Sequence, residues 1–154
     1  MTVRFAAPAA CPTGRDTSPD ALRDVPGTTT PASPPAPRAT ADQAADLRRD
    51  LEATGWGVDS VHHLLGDAAD AALRREIRLP ALRAVRAALA AGLAPSPVAV
   101  LTALFMLGEP VLATALDAAL PRTGAAGAAV IGLVGEPDEA GYVRARVDLR
   151  PHEA

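Results

Sequence analysis

The sequence of 154 residues contains no lysine and no asparagine, a single cysteine and only 3% aromatic residues. Because Cys11 has no second cysteine to pair with, an intramolecular disulfide is excluded, and a disulfide-stabilised scaffold with it. The formal net charge is -3, whereas an obligate nucleic-acid-binding protein is normally strongly basic. The composition therefore favours an ordinary globular domain with a hydrophobic core, since 49% of the residues are apolar.

Long hydrophobic runs are also missing. The two longest, Pro97 to Gly108 and Gly124 to Gly135, are shorter than the roughly 18 to 20 residues that span a bilayer. The apolar stretch before Cys11 is interrupted by Arg4 and Pro8, so it lacks the continuous core of a secretory signal. We therefore expect a cytoplasmic protein with no membrane partner.

Proline divides the chain into two parts. Residues 1–38 hold eight of the 15 prolines and few large apolar side chains. Such a segment cannot bury enough surface to offset its ordering entropy, which predicts a disordered tail. Residues 39–152 are predicted to form one helical domain.

Helical signals begin at Thr40, which forms a capping-box pattern with Gln43. Leu47 and Leu51 follow at helical spacing. The charged residues around them are predicted to face water: Arg48, Arg49, Asp50 and Glu52. A glycine on each side of Trp56 ends this helix, and Asp59 is predicted to cap a second one.

Prolines mark the later helices. Pro80 begins one helix, and the Ser96-Pro97 pair begins another over residues 98–107. This second helix is apolar almost all round, so we predict that it is the most buried element. Pro110 is predicted to open a helix that runs through Val111 and Leu112 and ends at Pro121, and a short Ala/Gly-rich helix begins near Thr123.

The last part of the domain changes its hydrophobic period from helical spacing to alternation. Polar and apolar residues alternate from Tyr142 to Leu149, as in a half-buried strand. Residues 135–141 form a turn rich in glycine and acidic residues. The predicted fold is mainly α: a helical N-terminal bundle followed by a winged-helix-like unit at about 96–150 with a C-terminal β-hairpin.

No motif predicts catalytic, cofactor-binding or metal-binding residues. His62 and His63 are neighbours on a helix and point about 100° apart, so they cannot easily share one ion. The glycine pairs at 124/127 and 132/135 do not follow a strand and open a helix, as a nucleotide-binding loop requires.

A winged helix raises the alternative of a stand-alone DNA-binding or protein-interaction module, such as a transcriptional regulator. The candidate recognition helix, from Thr123 to about Ile131, is mostly alanine and glycine, with Arg122 at its start. It offers almost no polar side chains to discriminate bases. Arg144 and Arg146 on the wing remain candidates for contact with RNA or a protein.

Several short segments, in a consistent order and spacing, resemble the N-terminal region of actinobacterial class I S-adenosylmethionine-dependent methyltransferases. These enzymes are similar to release-factor glutamine methyltransferases and small-subunit rRNA methyltransferases. The matching segments are residues 47–51, 55–59, 64–66, 72–76, 79–83, 104–110, 116–121, 132–134 and 143–151.

The resemblance implies an accessory domain that precedes a catalytic domain, with residues 148–151 as the exit toward it. The catalytic Asn-Pro-Pro-Tyr/Phe motif of such enzymes cannot be present, because the chain has no asparagine. S-adenosylmethionine is therefore implied for a full-length relative, and no cofactor is expected in this chain. The implied partners are a methyltransferase catalytic domain and a macromolecular substrate, either a release factor or rRNA. The candidate contact residues are Arg74, Arg75, Arg78, Arg122, Arg144 and Arg146.

Overall fold

The computed structural model describes residues 36–152 of the chain, and these residues are mainly helical. Four helices come first, of which the second, third and fourth pack against one another, and a winged-helix-like unit of helices and short strands follows. The helices are α1 (Ala41–Thr54), α2 (Val58–Leu65), α3 (Asp67–Leu73), α4 (Leu79–Ala90), α5 (Pro97–Leu101), α6 (Ala113–Ala119) and α7 (Gly124–Ile131). The strands are β1 (Val111–Leu112) and β2 (Tyr142–Val143).

The first helix boundaries follow from local hydrogen bonding. At the start of α1, the backbone N–H of Thr40 donates to the Gln43 side chain at 2.9 Å, and the Thr40 hydroxyl accepts from the Gln43 N–H. This confirms the predicted capping box. The prediction that Asp59 caps α2 is wrong, because the N-cap is Gly57, two residues earlier, and the Ser60 hydroxyl accepts the Gly57 N–H at 2.9 Å.

The turn between α3 and α4 is a Schellman motif with an unusual residue. The N–H of Ile77 donates to the carbonyl of Ala72, and the N–H of Glu76 donates to the carbonyl of Leu73. Glu76 occupies the left-handed position, with φ 65°, where glycine is normally found. This turn reverses the chain so that α3 and α4 pack against each other.

The centre of the domain is the helix that begins at Pro97. After α5 it continues as a π-helical turn over Thr102–Met106, and nearly every residue from Ala99 to Leu107 is buried. Thr102 is fully buried and its hydroxyl accepts from the indole Nε1 of Trp56 at 3.2 Å. The prediction that this segment is the most buried element is confirmed.

The second half of the domain has the element order and pairing of a winged helix. β1 pairs antiparallel with β2, Val111 opposite Val143 and Leu112 opposite Tyr142. The predicted helix through Val111 and Leu112 is therefore wrong: these two residues are a strand, and α6 begins only at Ala113.

The hairpin is short but follows the predicted alternation. Val134 bridges Ala145, the N–H of Gly135 donates to the Arg144 carbonyl at 2.9 Å, and the N–H of Arg146 donates to the Leu133 carbonyl at 2.8 Å. The C-terminal strand thus lies between β1 and the segment after α7. Residues 142–149 alternate between exposed and buried or half-buried side chains, as the sequence pattern predicts.

Residues 1–35 of the predicted disordered tail lie outside the described residues. Residues 36–38 adjoin the domain, because the N–H of Arg38 donates to the carbonyl of Ile131 at 2.9 Å. Within residues 36–152, no helix has both the length and the apolar character needed to cross a membrane.

Candidate functional site

Three segments that are far apart in the sequence form a cleft with a volume of about 770 Å³. The segments are the turn after α3, the end of the π-helical turn and the C-terminal residues of the domain, which we call the C-terminal wall. The residues that line the cleft are Leu73, Arg74, Glu76, Arg78, Phe105, Met106, Leu107, Gly108, Asp148 and Arg150. The cleft therefore combines an apolar floor, defined as Leu73 and residues 105–107, with three guanidinium groups and two carboxylates.

Arg78 is held at the edge of the floor by the main chain. Its guanidinium donates a hydrogen bond to the carbonyl of Leu107, just after the π-helical turn. A cation at this end of a helix also interacts favourably with the helix dipole. Among the residues that the structure describes, no carboxylate pairs with Arg78. Its positive charge is therefore positioned but not neutralised.

Arg74 belongs to a small network on the rim of the cleft. Its Nε donates to Asp70 Oδ2 at 2.9 Å, and His62 Nδ1 lies 3.3 Å from the same oxygen. The hydrogen bond from Arg74 lowers the pKa of Asp70 below its ordinary value of 3.8; His62 adds to this effect, and burial opposes it. Asp70 is therefore ionised near neutral pH and neutralises much of the charge of Arg74.

The wall formed by the C-terminal residues contains an internal ion pair. The guanidinium of Arg150 donates to the carboxylate of Asp148 through Nε at 3.2 Å and through the terminal nitrogen at 3.0 Å. Asp148 raises the pKa of Arg150 above its already high ordinary value, so Arg150 remains charged. Both side chains are more than half exposed, and the pair is available to a ligand.

Glu76 places a carboxylate in the cleft through a backbone conformation that side chains other than glycine adopt reluctantly. A left-handed φ at a residue with a Cβ costs about 1 kcal/mol or more. Such outliers cluster at functional sites. In the described part of the chain, no ion pair involves Glu76, so its charge is also unpaired.

The structure separates the arginines that the sequence marked as contact candidates. Arg74 and Arg78 line the cleft, whereas Arg75 is exposed on the same turn and does not. Arg144 and Arg146 are exposed on the wing, on the strand that leads to the cleft. Arg150 completes the cleft and was missed, although it continues the same alternating pattern.

Arg122 contacts α1 through its main chain, and its predicted contact with a substrate or partner stays a prediction. Its backbone N–H, together with that of Thr123, donates to the carboxylate of Asp50 on α1, with the shortest distance 2.8 Å. Asp50 is only 1% exposed, so the prediction that it faces water is wrong. The spacing contained the signal, because Asp50 follows Leu47 by three residues and therefore shares its helix face.

The ionisable groups of the cleft are guanidiniums and carboxylates. The lining residues include no serine, threonine, cysteine or histidine, and the charged groups that are present can form ion pairs and hydrogen bonds with a ligand. Within residues 36–152, no group of three or more His, Cys, Asp or Glu side chains is placed to hold a metal ion. His62 contacts Asp67 at 3.0 Å and Asp70, and the adjacent His63 is exposed.

Fold and cleft together define a mainly helical, winged-helix-like domain with a charged cleft on its surface. The chain matches the family described as Domain of unknown function (DUF7059) over residues 53–146, and it belongs to that family. The matched region ends before Asp148 and Arg150, and it begins after Asp50. No curated protein and no solved structure matches the chain.

Proposed function

We propose that this domain is a non-catalytic accessory module of an S-adenosylmethionine-dependent methyltransferase, and that it helps to hold a macromolecular substrate. The observation that carries the proposal is where the resembling segments lie in the fold. Residues 72–76, 104–110 and 143–151, which are separated in sequence, supply most of the lining of the cleft. A surface assembled from these segments is the natural place for the module to contact a substrate or its catalytic domain.

The chemistry of the cleft supports a binding role. Its apolar floor and positioned but unneutralised Arg78 resemble a protein-recognition surface, where arginine and buried apolar groups provide most of the affinity. The methyl donor and the reacting groups belong to the partner catalytic domain in this proposal. The proposal also places the protein in the cytoplasm, where release factors and ribosomes are found.

The winged-helix topology supports a second candidate, a DNA-binding regulator, but the details of α7 oppose it. Two carboxylates accept the N–H groups at and just before the start of α7: Asp50 from Arg122 and Thr123, and Asp117 from Ala125 at 2.8 Å. A helix N-terminus normally attracts phosphate. Here the two carboxylates occupy the N–H groups that a phosphate would use, and their negative charge repels a phosphate. The exposed face of α7 presents Val130, which is 73% exposed, rather than polar side chains.

Purification of the epitope-tagged protein from its native host tests the proposal. We expect the tag to be recovered together with a class I methyltransferase domain, in a longer polypeptide or in a stable complex, and chemical crosslinks to join that domain to this one. The intact mass distinguishes these two arrangements. Recovery of the 15.7 kDa chain alone, with no methyltransferase bound and no methyl-transfer activity, would contradict the proposal. A salt-dependent gel shift with duplex DNA would favour the regulator.

A further inference from the structure

The class of molecule that fits the cleft follows from its charges and its floor. Two of the arginines in the lining are paired with carboxylates, Arg74 with Asp70 and Arg150 with Asp148, which leaves Arg78 and Glu76 as the unpaired charged groups of the lining. The floor includes the half-buried side chains of Leu73 and Met106. An apolar floor with a positioned cation fits an apolar side chain and a carboxylate on the same ligand.

The C-terminal wall offers free main-chain groups to that ligand. The chain bends at Arg146 and Val147, and residues 148–150 belong to no helix or strand. They form no backbone-to-backbone hydrogen bond within the part of the chain that the structure describes. Their unpaired N–H and carbonyl groups, beside the cleft, can therefore hydrogen-bond to the main chain of a bound segment.

We propose that the cleft binds an acidic segment of a protein, with its backbone beside residues 148–150, an apolar side chain on the floor and a carboxylate on Arg78. This inference deepens the proposed function, on which it rests, by naming the class of substrate or partner. A protein segment fits better than RNA because apolar surface extends beyond the floor of the cleft. Ile77 and Leu79, which flank Arg78 in the sequence, are both more than half exposed.

Fluorescence anisotropy with short labelled peptides tests the inference on the full chain. The probes are a peptide of alternating glutamate and leucine, the matched peptide of alternating lysine and leucine, and a labelled RNA hairpin. We expect the acidic peptide to bind and the other two to bind at least tenfold more weakly. Equal binding of the two peptides, binding of the RNA alone, or binding of none of the three would overturn the proposal.

Substitutions of opposite sign make the test specific to the cleft. Arg78→Gln keeps a donor for the Leu107 carbonyl and removes the charge, so it is expected to raise the Kd of the acidic peptide tenfold or more. Glu76→Gln removes a like charge and is expected to lower that Kd. Arg75→Gln is the matched control, because Arg75 is on the same turn but outside the cleft, and its Kd is expected to change less than twofold.

Further measurements separate loss of peptide binding from loss of folding, and the peptide site from the proposed accessory role. Circular dichroism confirms that each variant is folded, and Arg150→Gln provides a second cleft variant, expected to weaken binding, if Arg78→Gln unfolds the domain. Equal weakening by Arg75→Gln and Arg78→Gln would show non-specific attraction and refute the site. If the acidic peptide binds but no methyltransferase is associated with the protein, the peptide site is supported and the accessory role is refuted. If a methyltransferase is associated but the acidic peptide does not bind, only the peptide site is refuted.

Discussion

Replacing Asp50 by alanine tests how α1 is fixed to the winged-helix unit. The Asp50 carboxylate accepts the N–H of Thr123 at 2.8 Å and shares the N–H of Arg122 between its two oxygens at 3.1 and 3.2 Å. A hydrogen bond to a charged group contributes about 1.5 to 3 kcal/mol when its loss leaves the donor unpaired. Counting the shared bond as the weaker one, we expect Asp50→Ala to lower the free energy of unfolding by about 2 to 4 kcal/mol.

Asp50→Asn separates charge from shape. Asparagine keeps one acceptor oxygen, which can serve Thr123, so its expected loss is about half that of alanine. Urea denaturation followed by circular dichroism measures the free energy of unfolding of both variants. In a thermal melt, the midpoint of the alanine variant is expected to be roughly 10 °C lower than that of the unchanged protein.

Asp46→Ala is the matched control on the same helix. Asp46 pairs with Arg49 at 3.1 Å on the surface, and both side chains are about half exposed. Such a pair contributes less than about 1 kcal/mol. If Asp50→Ala and Asp46→Ala destabilise the protein equally, the assignment of Asp50 as the contact that fixes α1 to the start of α7 is wrong.

Three further changes have a predictable sign. Thr123→Val is expected to raise the free energy of unfolding by up to about 1 kcal/mol, because the buried Thr123 hydroxyl has no partner in the described residues; a loss measured by urea denaturation contradicts this. Glu76→Gly is expected to raise the free energy of unfolding by about 0.5 to 1 kcal/mol, because glycine adopts the left-handed conformation without strain. Glu76→Ala keeps the Cβ, so it is expected to leave the free energy of unfolding unchanged. Arg74→Gln is expected to remove less than about 1 kcal/mol. Because the pKa of Asp70 is lowered in the folded protein, this contribution is full above pH 4 to 5 and is lost as the pH falls through the folded-state pKa. A difference in urea midpoints that does not shrink as the pH falls would exclude Asp70 as its source.

Local signals predicted the elements whose boundaries depend on neighbouring residues. The Thr40–Gln43 capping box and the buried helix after Ser96 both depend on spacing within one or two turns, and both appear in the structure. β1 could not be found in the same way, because Pro110 followed by apolar residues fits a helix start equally well. Val111 and Leu112 become a strand only through pairing with Tyr142 and Val143, about 30 residues later.

The cleft illustrates the same limit at the level of function. The sequence marked Arg74, Arg75 and Arg78 as one cluster, but only Arg74 and Arg78 line the cleft. Arg150 joins them from a segment more than 70 residues away. Such a convergence is a property of the tertiary fold, so no spacing rule along the chain could have predicted it.

We propose that this domain binds substrate for a methyltransferase and leaves the chemistry to a catalytic domain. The decisive measurement is methyl transfer from labelled S-adenosylmethionine to ribosomal and release-factor fractions, with the native-host preparation and its Arg78→Gln variant. We expect activity in both preparations, with a raised KM and an unchanged kcat in the variant. Methyl transfer by the isolated 154-residue chain alone, or a lowered kcat with unchanged KM in the variant, would contradict it.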